Sequence, residues 1–143
     1  MSKKQRGAVK QKLYYPPSYI LWYKDISAKD VPLVGGKNAS LGEMYRFLRK
    51  KGVNVPNGFA ITAAAYNHFI GEAGIKEEIK KILNGLNIKD VVDLGERGHK
   101  IRELIKRAEF PKELKEAITE AYSDLSREYR RNTDVAVRSS ATA

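Results

Sequence analysis

The sequence predicts an α+β domain that is mostly helical, with only a few short strands. Two runs that contain aromatic and β-branched residues, 19–23 and 58–61, have the length of short strands. Elsewhere, apolar residues recur at helical spacing with Lys, Arg and Glu on the opposite faces, as in amphipathic helices. Hydrophobic residues make up 42% of the chain and charged residues 31%, which is typical of a globular domain and argues against disorder.

The first predicted helix follows a flexible turn at Gly35 and Gly36. Its apolar stripe consists of Leu41, Met44, Tyr45 and Leu48. Lys51 and Gly52 end it, because glycine readily adopts the left-handed conformation that closes many helices. Asn38 or Ser40 is expected to cap its N-terminus.

Four further helices are predicted in the rest of the chain. Thr62 is a good N-cap for a helix over residues 63–72, and Asp90 is a candidate cap for a long helix that carries His99 near its start. Pro111 suits the first turn of the last helix. The stripes of the last three helices are Ile75, Ile79, Ile82 and Leu83; Ile101, Leu104, Ile105 and Ala108; and Leu114, Ala117, Ile118, Ala121, Tyr122, Leu125 and Tyr129.

A third strand is predicted over residues 134–140, where Val135 and Val137 alternate with Ala136 and Arg138. The sequence ends a few residues later. A strand with no following element is expected in a truncated domain.

Composition and charge narrow the class of protein. The formal net charge is +10, and residues 1–17 are predicted to form a basic, flexible arm. Such an arm could bind nucleic acid, but a solvated arm is the more common case. The chain has no cysteine, which excludes disulfides and thiolate metal sites. It contains no apolar run of membrane-spanning length and no secretory signal pattern, so we expect a cytoplasmic protein.

The segment Val34-Gly35-Gly36-Lys37 is the first candidate site. The glycines let the backbone approach a ligand closely, and a lysine beside a helix N-terminus suits a phosphate group. The motif is not a Walker A loop, because Asn38 follows the lysine. By spacing alone, a glycine turn with a solvated lysine is the more common explanation.

Arg138 is the second candidate, since its planar guanidinium would be held on a strand and suits phosphate oxygens. An ion pair with an acidic residue is the alternative, and from the local pattern alone it is favoured. His68 and His99 lack the surroundings of a phosphoryl-carrying histidine. Asp and Glu residues show no metal-ligand spacing, so neither catalytic nor metal-binding residues are predicted.

Three separated motifs together resemble one family. They are VPLVGGKNASLGEM, GVNVPNGFAITAAAY and DVAVRSSATA, and their order and spacing are similar to the N-terminus of the phosphoenolpyruvate synthase (pyruvate, water dikinase) family. Pyruvate, phosphate dikinase has related segments. The preceding YILWYKDISAKDVP extends the resemblance, which covers roughly residues 19–143.

The resemblance implies that residues 18–143 are the N-terminal part of an ATP-grasp-like nucleotide-binding domain. In the complete enzyme, ATP, pyruvate and water give phosphoenolpyruvate, AMP and phosphate by way of a phosphohistidine. Lys37 and Arg138 match the family residues that contact the ATP phosphates, and Gly35 and Gly36 match the supporting loop.

The resemblance also implies that the magnesium ligands, the phosphohistidine and the pyruvate-binding barrel are absent from this sequence. We therefore expect no catalysis by this chain alone, with the remaining dikinase domains as possible partners on another chain. A stand-alone basic module that binds nucleic acid and a non-catalytic remnant remain as alternatives.

Overall fold

The structure is a computed structural model that describes residues 18–130 and 132–142. The predicted basic arm over residues 1–17 lies outside the described residues. Two short 3-10 turns, Tyr23–Asp25 and Ala28–Asp30, separate the first strand from the first helix. The strands and α-helices, in chain order, are β1 Ile20–Trp22, α1 Val31–Lys50, β2 Phe59–Ile61, α2 Ala63–Glu72, α3 Lys76–Leu83, α4 Val91–Arg107 and α5 Lys112–Glu128. The predicted α+β class, mostly helical with short strands, is confirmed.

The two strands predicted near the N-terminus form one small sheet. β1 and β2 are antiparallel, with Leu21 opposite Ala60 and Trp22 opposite Phe59. The Trp22 and Phe59 rings meet edge to face with their centroids 5.5 Å apart, a favourable arrangement for a cross-strand aromatic pair.

The prediction of a strand over residues 134–140 is wrong. No strand is assigned between residues 132 and 142. A strand needs a neighbouring ladder to satisfy its amides and carbonyls, and its alternating side chains need a surface to cover. Here Val135 is 48% exposed and Val137 is 92% exposed, so the face that the alternation predicts as apolar lies in solvent.

Three helix ends follow the predicted local chemistry. Thr62 caps α2 by accepting the Ala65 amide, and Asp90 caps α4 by accepting the amides of Val92 and Asp93. Gly52 closes α1 with φ 82°, while the amides of Gly52 and Val53 donate to the carbonyls of Arg49 and Leu48. This pair of bonds is a Schellman motif.

The positions of Pro111 and His99 relative to their helices differ from the prediction. Pro111 is the N-cap of α5, one residue before the helix begins, because its extended backbone (φ −52°, ψ 140°) leads into the helix. His99 lies in the middle of α4 and not near its start, because the Asp90 cap starts the helix at Val91.

The core consists of two apolar clusters. The larger one joins α2, α3 and α5 and is built from Ala65, Phe69, Ile70, Ile75 and Leu114. The smaller one contains Ile26, Val34 and Ala60, with Leu21 and Tyr23 packed against it. Because Val34 immediately precedes the Gly35-Gly36 pair, the smaller cluster supports the first candidate site. None of the helices in the described ranges combines the length and hydropathy of a transmembrane span.

Arg97 joins the end of α3 to α4. Its Nε donates to Asp93 Oδ1 at 2.6 Å, and its Nη1 donates to the carbonyls of Ile82 and Asn84, each at 2.7 Å. The side chain thus satisfies carbonyls at a helix C-terminus, where a positive charge is also favoured by the helix dipole.

Asp93 gives this contact a defined pH dependence. The hydrogen bond from Arg97 holds the pKa of Asp93 below its ordinary value of 3.8. The unfolded chain therefore takes up the proton first as the pH falls, so the stabilisation is complete at neutral pH and is lost below about pH 3.8. We expect the melting temperature of Asp93→Asn to lie below that of the unchanged protein at pH 7, and the difference to shrink as the pH falls from 7 to 3. A constant difference across this range would contradict the assignment.

Candidate functional site

Gly35 interrupts α1 inside the first candidate motif. Its backbone angles, φ 79° and ψ 162°, are non-helical, although the residues on both sides belong to the helix. This region of backbone space is accessible almost only to glycine. The uninterrupted part of α1 therefore begins at Gly36, and the residues before the break form a separate helical turn.

The C-terminal segment that follows Arg138 packs directly against this break. The Gly36 amide donates to the Ala141 carbonyl at 3.2 Å, and the Asn38 amide donates to Ser140 Oγ at 3.3 Å. A side chain at Gly35 would place its Cβ 2.5 Å from the Ala141 carbonyl oxygen, which is closer than real contacts allow. The fold thus brings together two motifs that are about 100 residues apart in sequence.

The amides at the start of the uninterrupted helix are partly occupied by the protein itself. The sequence predicts donors that are free to bind a ligand, and a cap from Asn38 or Ser40. That capping prediction is wrong. Asn38 Nδ2 donates back to the Val34 carbonyl at 2.9 Å, across the Gly35 break, and Ser140 supplies the capping acceptor from a distant part of the chain. Phosphate recognition here would accordingly depend more on side-chain charge than on helix amides.

Lys37 and Arg138 are both exposed, and each lies in one of the two contacting segments. Neither side chain forms an ion pair with an acidic residue in the ranges that the structure describes. Two exposed cations on adjoining segments at the surface can bind an anionic ligand from solvent.

The hydroxyl of Tyr23 is influenced by the charge of Arg138. Burial raises the pKa of its hydroxyl above the ordinary 10.0, and the positive charge of Arg138 opposes that rise. The Tyr23 ring also covers Gly58, where an added Cβ would lie 2.6 Å from its Cε2. Sequence reasoning missed both Tyr23 and Ser140, because neither residue has a local pattern that points to Arg138 or to α1.

His68 takes part in contacts between separate elements of the fold. His68 Nε2 lies 2.7 Å from Glu113 Oε1, and its ring stacks on Tyr19 with a centroid distance of 5.2 Å. These contacts join α2, α5 and the residue before β1. No group of three or more potential metal ligands occurs among residues 18–130 and 132–142.

Comparison with known proteins gives the same assignment as the motifs. The family model described as pyruvate phosphate dikinase, AMP/ATP-binding domain, matches residues 31–143. The chain is 50% identical over 125 residues to phosphoenolpyruvate synthase from Aquifex aeolicus (strain VF5), covering 87% of this chain and 15% of that protein. It is 48% identical over 124 residues to phosphoenolpyruvate synthase from Escherichia coli (strain K12), covering 87% and 16%.

An archaeal relative, probable phosphoenolpyruvate synthase from Methanocaldococcus jannaschii, is 47% identical over 126 residues, which cover 87% of this chain and 10% of the relative. The chain thus spans only about 10–16% of the length of these relatives. The resemblance deduced from the motifs is confirmed, and the chain belongs to the pyruvate phosphate dikinase AMP/ATP-binding domain family.

Proposed function

We propose that this chain is the ATP-binding portion of a phosphoenolpyruvate synthase-type dikinase, and that Lys37 and Arg138 contact the ATP phosphates. Gly35 and Gly36 would form the supporting loop. In this proposal residues 18–143 are the N-terminal part of an ATP-grasp-like domain.

One observation carries the proposal. The segment after Arg138 is hydrogen-bonded to the backbone beside Lys37, at 3.2 Å and 3.3 Å. Two positively charged side chains from distant parts of the sequence are thereby attached to one structural unit. The exposure of both side chains leaves them accessible to a nucleotide.

The role of these residues would be electrostatic. Phosphoryl transfer concentrates negative charge on phosphate oxygens, and fixed cations lower the cost of that charge without forming covalent bonds. In the complete enzyme, ATP, pyruvate and water would be converted to phosphoenolpyruvate, AMP and phosphate. The magnesium ligands, the phosphohistidine and the pyruvate site would belong to the remaining domains, and the reaction would take place in the cytoplasm.

Removing either cation should weaken ATP binding. Replacing Lys37 by methionine, or Arg138 by glutamine, is expected to lower ATP affinity by about 10- to 100-fold, because hydrogen bonds from charged groups are among the strongest that proteins make. The measurement is a calorimetric titration of the complete chain with ATP.

Lys50→Met is the matched control for this titration. Lys50 is also an exposed lysine of α1, but it lies at the opposite end of the helix from Lys37. We expect its loss to change ATP affinity less than about twofold. Equal effects of Lys37→Met and Lys50→Met would contradict a phosphate site at Lys37.

The net charge of +10 supports one alternative, a stand-alone basic module that binds nucleic acid. Such binding would fall steeply as salt is added, because it depends on the release of counterions from phosphates. Salt-dependent binding to arbitrary duplex DNA that is lost on deletion of residues 1–12, together with no binding of ATP, would favour this alternative.

A further inference from the structure

We infer that Ser140 is a positioning residue, which fixes the segment that carries Arg138 against the start of α1. This inference rests on the proposed function, since it assigns to Ser140 the placement of a phosphate-binding side chain. Residues 133–141 are called here the Arg138 segment.

The Arg138 segment is attached to the rest of the protein near both of its ends. At its beginning, the Tyr122 hydroxyl of α5 donates to the Thr133 carbonyl at 2.9 Å. At its end, Ser140 Oγ accepts the Asn38 amide and the Ala141 carbonyl accepts the Gly36 amide. Arg138 lies two residues from this second attachment and five from the first, so its position depends mainly on Ser140 and Ala141.

Between these attachments the segment is held weakly. Residues 134–139 are all exposed, and Ser140 is the first residue after them that is partly buried. An exposed stretch loses conformational entropy when it is ordered, and apolar burial offsets little of that loss here. The hydrogen bond made by Ser140 is therefore expected to contribute directly to the ordering of Arg138.

The surface that receives Ser140 is itself well fixed. Gly35 leaves room for the serine by having no side chain, and Asn38 braces the break by donating to the Val34 carbonyl. Val34 is buried in the smaller cluster, and Tyr23 packs against the same cluster. Ser140 thus connects the Arg138 segment to a part of α1 that is packed against the smaller cluster and includes Lys37.

Ser140→Ala in the complete chain tests this role, with Ser139→Ala as the control. Ser139 has the same side chain one position away and is exposed. Loss of a single hydrogen bond predicts an ATP affinity about three- to tenfold lower for Ser140→Ala. Ser139→Ala should bind ATP as the unchanged protein does. An unchanged ATP affinity in Ser140→Ala, or a higher one, would overturn the inference.

Testing Ser140→Ala in a protein that already carries Arg138→Gln separates a positioning role from general destabilisation. If Ser140 acts through Arg138, then Ser140→Ala should cause no further loss of ATP affinity in a protein that already carries Arg138→Gln. A merely structural defect would instead lower the affinity by the same factor in both backgrounds. That result would also overturn the inference.

A measurement without nucleotide distinguishes failure of this inference from failure of the proposed function. Backbone ¹⁵N order parameters report the picosecond-to-nanosecond mobility of each amide. In Ser140→Ala we expect the order parameters of residues 136–139 to fall. The order parameters of α1 and α5 should remain unchanged. If the unchanged protein does not bind ATP, the proposed function fails. The order parameters would still show whether Ser140 holds the Arg138 segment in place.

Discussion

Replacing Gly35 by alanine is expected to lower the free energy of unfolding by about 2–4 kcal/mol, because strained backbone and steric overlap add together. The backbone at Gly35 has φ 79° and ψ 162°, which an L-residue adopts only with strain. The new Cβ would also lie 2.5 Å from the Ala141 carbonyl oxygen and 2.8 Å from the Ser140 carbonyl carbon. Backbone atoms cannot rotate away as a flexible side chain can.

Movement of the Arg138 segment away from α1 would relieve this overlap, because the overlapping atoms belong to Ser140 and Ala141. We therefore expect Gly35→Ala to weaken ATP binding even at temperatures where the protein remains folded. Urea unfolding measures the first effect, and titration with ATP measures the second.

Gly36→Ala is the matched control for this prediction. No heavy atom lies within 4 Å of a Cβ added at Gly36, and its backbone is not left-handed. Its free energy of unfolding should change by less than about 0.5 kcal/mol. If alanine at position 36 is as destabilising as alanine at position 35, the break in α1 does not have the conformation described above.

Replacing Ile26 by alanine should cost about 2–5 kcal/mol of unfolding free energy, which is typical of a buried large-to-small substitution. Ile26 is fully buried in the smaller cluster with Val34 and Ala60. It also contacts α1 closely, since a Cβ added at Gly42 would lie 2.7 Å from Ile26 Cβ. The cavity would lie beneath the helix that carries Lys37.

The same substitution at Ile88 provides the comparison. Ile88 is 75% exposed, so little apolar surface returns to water on unfolding. We expect Ile88→Ala to change the unfolding free energy by less than about 0.5 kcal/mol in urea or thermal melts. If Ile26→Ala lowers the unfolding free energy as little as Ile88→Ala does, the smaller cluster does not stabilise the fold.

Most of the helices and both strands could be predicted from short stretches of sequence. Thr62 and Asp90 act as N-caps because their side chains reach amides only two or three residues further on. Gly52 ends α1 because the left-handed conformation is a property of the residue itself. Leu114, Ala121 and Leu125 are buried as their helical spacing predicts.

Prediction from local sequence failed where the structure depended on another part of the chain. The alternation of Val135 and Val137 predicts a strand, but a strand also requires a second strand to pair with. Asn38 has the chemistry of a cap, yet its side chain donates to Val34 across a break that Gly35 creates. Neither result can be read from the residues immediately around it.

The sequence by itself determined the helices, the caps of α2 and α4, the short sheet and the motifs that identify the family, because each depends on residues a few positions apart or on a direct match of residue types. Only the tertiary structure decided that Ser140 and Ala141 contact the amides of Asn38 and Gly36. Contacts across about 100 residues leave no periodic pattern in the sequence. They form at Gly35, where the missing side chain leaves space for another part of the backbone.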